Sequence, residues 1–211
     1  MKIIKQSDKF SAKIAASFLK LNKVVAIPTD TVYGLAVNAA SDEAVNKLYC
    51  LKKRDNSKPI AIFVSDISKA REIVTFSCLA EKIIAKYGDF PLTLVLPRKK
   101  DSGLKLSAFL NQNDEFLGIR IVKHKFINAL FEEMALQGNF LLAVTSANIS
   151  GQKDAKNVNQ VANYFANNLE LLVDDCCDSK KSPSTVIKIV DNDYQILRQG
   201  EIEESRIKFL L

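Results

Sequence analysis

Pro28-Thr29-Asp30-Thr31-Val32-Tyr33-Gly34-Leu35-Ala36 follows directly on the apolar run Val24–Ile27. That run reads as a buried strand, and Pro28 ends it. Two threonines flanking an aspartate then present short, rigid donors and acceptors at a strand end, where open α/β sheets bind ligands. The same residues also suit an ordinary turn closed by local hydroxyl-to-backbone bonds.

Working outward, Phe10, Ile14, Phe18 and Leu21 recur at helical spacing, which predicts a helix. Downstream, Ser41-Asp42-Glu43 supplies a capping hydroxyl and two acids to a second helix, with Ala44, Leu48 and Leu51 as its apolar face. Strands are expected at Ile60–Val64, Thr93–Leu96, Gly118–Val122 and Phe140–Thr145. Helices are expected near Ile67–Val74, Cys78–Tyr87, Ala129–Met134 and Val158–Phe165. Ser184–Val190 and Tyr194–Arg198 read as a hairpin around Asp191-Asn192-Asp193, followed by a helix over about 202–210. Strands and helices intermix irregularly, so the expected fold class is α/β: a single-domain twisted mixed sheet with flanking helices. No repeat or Pro/Gly-rich linker divides the 211 residues, so one domain, 1–211, is expected.

The composition, 47% hydrophobic and 26% charged, is that of a folded domain rather than a disordered chain. No window offers the ~20 apolar residues of a membrane span. Charges interrupt every apolar run in Met1-Lys2-Ile3-Ile4-Lys5-Gln6-Ser7-Asp8, leaving no signal-peptide core. A cytoplasmic protein without a membrane partner is expected. The net charge of +6 suits an anionic partner, but no aromatic residues interleave the cationic clusters as a single-strand stacking track requires. The four cysteines form no CxxC pair and there is one histidine, which argues against structural zinc. P-loop, GxGxxG, HExxH and GxSxG signatures are absent. A serine–histidine–aspartate triad would rest on His124 alone, and its place after a strand suits a helix start better.

Two further stretches carry chemistry. Lys52-Lys53-Arg54, followed by Lys58-Pro59, could aim cations at one polyanion, with arginine offering a planar fork and lysine a point charge. Lys52 and Lys53 equally suit the negative end of a helix. Thr145-Ser146-Ala147-Asn148-Ile149-Ser150-Gly151 leaves an apolar strand and could wrap a phosphate with N–H groups and hydroxyls. Near the end, Ser184-Thr185-Val186 opens a strand and Arg198-Gln199-Gly200 closes one.

In this order, PTDTVYGLA, the K-x-R pair, Phe90-Pro91-Leu92-Thr93, Gly118-Ile119-Arg120, TSANISG, STV and RQG resemble the YrdC-like family, the L-threonylcarbamoyl-adenylate synthases. The matches run from about Val24 to Gly200. The resemblance implies the YrdC-like (DHBP synthase-like) fold in its short form. It also implies a nucleotidyltransferase that makes threonylcarbamoyl-AMP and pyrophosphate from L-threonine, bicarbonate and ATP. A separate threonylcarbamoyl transferase would use the product in tRNA modification. Carried over by position, Thr31, Arg120 and Ser184 would bind L-threonine. Lys52, Arg54, Lys58, Thr93, Ser146, Asn148 and Arg198 would bind ATP, and Tyr33 would line the pocket or pack in the core. No nucleophile or general base is assigned, and Mg²⁺ would be held through the nucleotide phosphates.

The chain departs from the family pattern at four places. Asp55 stands where Pro usually follows K-x-R, which predicts a less rigid loop. Asp89-Phe90-Pro91 replaces P-G-P, Thr145 replaces a frequent Pro, and Phe63 falls about where some members carry His. Rival readings of the same basic face are a module binding tRNA or double-stranded RNA, a carbamoyl-transfer domain, and an inactive scaffold. Segment 174–183, polar and ending in Pro183, reads as a lid or a plain surface loop.

Overall fold

The computed structural model of the protein describes residues 1–100, 102–110, 115–138, 141–165, 168–175 and 182–209. In chain order these form β1 (Lys2–Lys5), α1 (Ser11–Lys20), β2 (Val25–Ile27), β3 (Gly34–Asn38), α2 (Asp42–Lys52), β4 (Ala61–Val64), α3 (Ile67–Ile73) and α4 (Cys78–Tyr87). Then follow β5 (Leu92–Pro97), β6 (Phe116–Ile121), α5 (Lys125–Leu136), β7 (Leu142–Ser146), α6 (Val158–Phe165), β8 (Leu171–Asp174), β9 (Thr185–Val190), β10 (Asp193–Arg198) and α7 (Glu204–Lys208). All the strands join one sheet in the order β1-β8-β2-β3-β7-β4-β6-β5-β9-β10. Pairs β1/β8, β2/β8, β4/β6 and β5/β9 are parallel, and the remaining neighbours are antiparallel. The expected mixed α/β sheet with flanking helices is what forms.

Side-chain alternation along the strands explains where the helices go. Ala26, Leu35, Val37, Ile62, Leu94, Leu117, Ile119 and Ile187 point to one face, against which α2, α3, α4 and α6 pack. Val25, Ile27, Ala36, Leu142, Val144, Leu171 and Val173 point to the other, where among the described residues only α1 and α5 pack. Two helices cannot roof ten strands. The second face is covered near β1, β8, β2 and β3 and left open toward β6, β5, β9 and β10, which is where a site can form.

Local signals place most helix starts. Ser41, Asp66 and Ser77 each accept a bond from the backbone N–H three residues on, opening α2, α3 and α4. His124 stands at the N-cap of α5, the helix start expected of it. The hairpin closes as expected, with Asp191 in the left-handed region at φ 54°.

The helix expected along Phe10, Ile14, Phe18 and Leu21 forms as α1, although Phe10 and Leu21 are 52% and 68% exposed. Ala12, Ala15, Ala16 and Leu19 face inward instead, because small side chains let α1 lie close against α5 and the sheet. Strands β1, β3 and β8 were not anticipated; each is short, and β3 was merged with the turn before it. The strand expected to begin at Phe140 starts at Leu142, and Phe140, like Leu210 of the last helix, lies outside the described residues.

Candidate functional site

The open half of the second face holds a cavity of about 520 Å³. Its lining follows the alternation of the strands that floor it: Ala61 and Phe63 on β4, Phe116, Gly118 and Arg120 on β6, Thr93 and Val95 on β5, Val186 and Lys188 on β9, Gln195 and Leu197 on β10. The loops at the strand ends complete it. Of the residues assigned from sequence, Thr31, Arg54, Lys58, Thr93, Arg120, Ser146, Ser184 and Arg198 all line this one cavity. Lys52 and Asn148 do not.

The turn between β2 and β3 builds one wall. Thr29 Oγ1 donates to the Val32 carbonyl at 2.7 Å and accepts the Thr31 N–H at 3.1 Å, a hydroxyl-closed turn. This rigid loop faces Arg120, whose Nη2 donates to Asp30 Oδ1 at 2.6 Å and to Thr31 Oγ1 at 3.1 Å. Both readings of the Pro28–Ala36 stretch therefore hold: it is a locally bonded turn, and it presents groups to a cavity. Arg120 is 6% exposed; burial lowers its pKa and the Asp30 carboxylate opposes that. Tyr33 is likewise both core and lining, with its Oη accepting the Asp175 N–H at 3.0 Å.

Opposite, α2 ends because Lys53 turns left-handed at φ 49°, sending Arg54 toward the cavity. Arg54 Nε donates to the Lys58 carbonyl at 3.2 Å and Nη2 to the Pro59 carbonyl at 2.9 Å. The Tyr49 hydroxyl donates to the same Lys58 carbonyl at 3.0 Å. Asp55, where the family pattern has Pro, is itself bonded into this loop. Its Oδ1 accepts the Ser57 N–H at 2.9 Å and its carbonyl the Lys58 N–H at 3.0 Å, so it shapes the turn that a proline would have stiffened.

At the third corner, Thr93 Oγ1 and Ser184 Oγ lie 2.9 Å apart, and Arg198 donates to the Ser184 carbonyl and hydroxyl, both at 2.9 Å. Thr93 and Ser184, assigned to different substrates, thus form one cluster. Gly200 lets the chain cross here: a Cβ would sit 2.4 Å from Thr185 N and 2.6 Å from the Pro183 carbonyl. Gly200→Ala is expected to cost about 1–3 kcal/mol by overpacking. Thermal unfolding should come several degrees lower, checked by calorimetry, with loss of the Arg198–Ser184 arrangement.

Lys52 lies beneath the cavity rather than in it. It is 1% exposed, and its Nζ donates to the Ser146 carbonyl and, at 2.8 Å each, to the carbonyl and Oδ1 of Asn148. Ser146 Oγ also donates to Asn148 Oδ1 at 2.8 Å, and Asn148 Nδ2 to the Gln152 carbonyl at 2.6 Å. Lys52 and Asn148 brace the strand-to-loop turn that presents Ser146. Burial pushes the Lys52 amine from the usual 10.5 down to about 7, with Arg54 adding to the shift and Asp154 opposing it.

The remaining departures have plain roles. Phe63 lies under Arg120, Asp89 pairs with Lys123, and Thr145 sits opposite Leu35 in the β3/β7 ladder. Val95, Phe116, Lys188, Gln195 and Leu197 were missed from sequence. Stepping by two from Thr93, Gly118 and Ser184 reaches Val95, Phe116, Val186 and Lys188, so alternation was the signal for most of them. Most of segment 174–183, with Cys176 and Cys177, lies outside the described residues.

A half-roofed mixed sheet whose cavity collects arginines, lysine and hydroxyls defines an α/β protein with a cationic, hydroxyl-lined cavity. Family comparison makes this specific: the chain belongs to the Sua5/YciO/YrdC family, whose model, described as telomere recombination, matches residues 17–200. It is 33% identical over 207 residues to a putative threonylcarbamoyl-AMP synthase of Methanocaldococcus jannaschii, across 95% of this chain and 94% of that one. It is 32% identical over 198 residues to the threonylcarbamoyl-AMP synthase of Bacillus subtilis, covering 93% of this chain but 55% of the relative. The chain thus spans little more than half the length of that relative. The structure of P. abyssi Sua5 complexed with L-threonine superposes with a TM-score of 0.89 at 26% identity, over 100% of this chain and 61% of Sua5.

Proposed function

We propose that the protein is a threonylcarbamoyl-AMP synthase, joining L-threonine, bicarbonate and ATP with release of pyrophosphate. The observation that carries the reading is the cavity itself. A nearly buried Arg120 faces a hydroxyl-closed turn on one side, while Arg54, Lys58 and Arg198 supply cations elsewhere on the rim. The relatives' names and the L-threonine in the Sua5 complex fit that division.

The chemistry asks for positioning rather than for a nucleophilic side chain. Threonine's amine attacks the carbon of bicarbonate and water leaves, giving a carbamate. A carbamate oxygen then attacks the α-phosphorus of ATP, and pyrophosphate departs. Arg120 and Thr31 hold the amino acid. Arg54, Lys58 and Arg198 hold the phosphates, with Ser146 and the Thr93–Ser184 pair shaping the ground between. Lys52 and Asn148 position Ser146.

No described carboxylate lines the cavity, and no group of three His, Cys, Asp or Glu side chains is gathered elsewhere among the described residues. This donor set fits Mg²⁺ arriving on the ATP phosphates, where it would neutralise charge. The product would pass to a threonylcarbamoyl transferase acting on tRNA in the cytoplasm. No helix among the described residues is long and apolar enough to cross a membrane.

The test is pyrophosphate release by purified protein supplied with ATP, Mg²⁺ and bicarbonate. Release should require L-threonine, and serine should support little. A folded protein that releases none, and instead binds tRNA with a steep salt dependence, would be an RNA-binding module.

A further inference from the structure

Phe63 and Arg120 are directly paired in the parallel register of β4 and β6, so their side chains rise side by side from the sheet into the cavity. The guanidinium carbon of Arg120 lies 5.3 Å from the centre of the Phe63 ring, within cation–π range. Phe63 is 4% exposed, opposite Leu142 in the β4/β7 register and part of the cluster under α1 and α5. On the guanidinium, Nη2 is taken by Asp30 and Thr31. Nε is buried with no partner.

A buried, unpartnered N–H on a charged group costs free energy unless a ligand completes it. Arg120 is held by an ion pair at one end and an aromatic surface along its flank, with its Nε donor buried and unused. We propose that Phe63 is a positioning residue: its ring sets the guanidinium orientation so that Nε receives the amino-acid carboxylate of the substrate. An aromatic ring suits this task because it steadies the cation without accepting a hydrogen bond, leaving every donor for Asp30, Thr31 and the ligand.

This inference rests on the synthase reading, so its experiment separates the two. L-threonine binding without ATP is measured by calorimetric titration for the unaltered protein, Phe63→Leu and Phe63→Tyr, with thermal unfolding recorded alongside. The ¹⁵N resonance of Arg120 Nε is followed during the threonine titration. Loss of an interaction of about 1–2 kcal/mol predicts threonine binding roughly 5- to 30-fold weaker in Phe63→Leu. ATP affinity should stay within about twofold, Phe63→Tyr should restore most of the loss, and threonine should shift the Nε resonance of the unaltered protein. Unimpaired threonine binding by Phe63→Leu, or an Nε resonance that ignores threonine, overturns this proposal and leaves the synthase reading standing. If Phe63→Leu does not fold, the Nε resonance alone decides. No threonine binding by the unaltered protein overturns the synthase reading and this proposal with it.

Discussion

Arg120→Ala is expected to weaken L-threonine binding by at least about 100-fold, consistent with loss of a charge-assisted carboxylate contact in a buried site. The same change should destabilise the fold. Arg120 and Asp30 are 7% and 14% exposed at their side chains, and removing one partner of a buried pair costs about 3–5 kcal/mol. Asp30 keeps some solvent, which places the cost toward the lower end. Calorimetric melting should therefore fall by roughly 6–12 °C for a chain of this size. Arg120→Lys keeps a charge but loses the planar fork, so it should recover stability better than affinity. Arg54→Ala is the complement. Its guanidinium braces only two loop carbonyls, so the fold should tolerate the change, while ATP affinity drops about 10- to 100-fold and threonine affinity holds. Titration of each ligand against both variants checks the division; equal losses of both ligands in both variants would refute it.

The sequence made the ends of strands legible and left their faces obscure. Proline, glycine and hydroxyl residues punctuate turns by local chemistry, so Pro28–Ala36, Thr145–Gly151 and Ser184–Val186 could be found without knowing the sheet. Which residues stand beside one another depends on strand order. Phe63 and Arg120 are neighbours only because β6 pairs with β4, and no local pattern announces that. The same gap explains Lys52. As a lysine at a helix end near Arg54, it read as a phosphate ligand. Its true surroundings are carbonyls brought up by β7, from a part of the chain nearly a hundred residues away. Helix α1 was legible from its spacing, but that small alanines take its interface with α5 was not, because that depends on how closely the two helices approach.

Lys52→Met carries the second large effect, and it separates bracing from direct contact. The ammonium has three protons and meets three acceptors: the carbonyls of Ser146 and Asn148 and the Asn148 side-chain oxygen. Methionine fills similar space and supplies no donor, so the Asn148 carbonyl loses its bond at about 1–3 kcal/mol, while the Ser146 carbonyl keeps the Asn148 N–H and Asn148 Oδ1 keeps the Ser146 hydroxyl. Relief from burying a charge offsets much of that, since desolvating an ammonium itself costs several kcal/mol. The Ser146 Oγ and Asn148 Nδ2 bonds also remain to hold the turn. The protein should therefore fold, with Ser146 less well placed and ATP binding about 10- to 100-fold weaker, a loss of ~1.4–2.8 kcal/mol. The pH dependence supplies an independent check. The folded amine gives up its proton near 7 and the unfolded one near 10.5, so between these values the unfolded chain binds more protons. The Lys52 contribution to stability then rises with pH across that window. Over the same window a neutral amine offers two protons to three acceptors, so ATP affinity should fall as stability climbs. Denaturant unfolding and ATP titration at pH 6, 7.5 and 9 should show these opposite slopes in the unaltered protein, and Lys52→Met should flatten both. Parallel slopes, or slopes unchanged in the variant, would return Lys52 to a role in direct contact with phosphate.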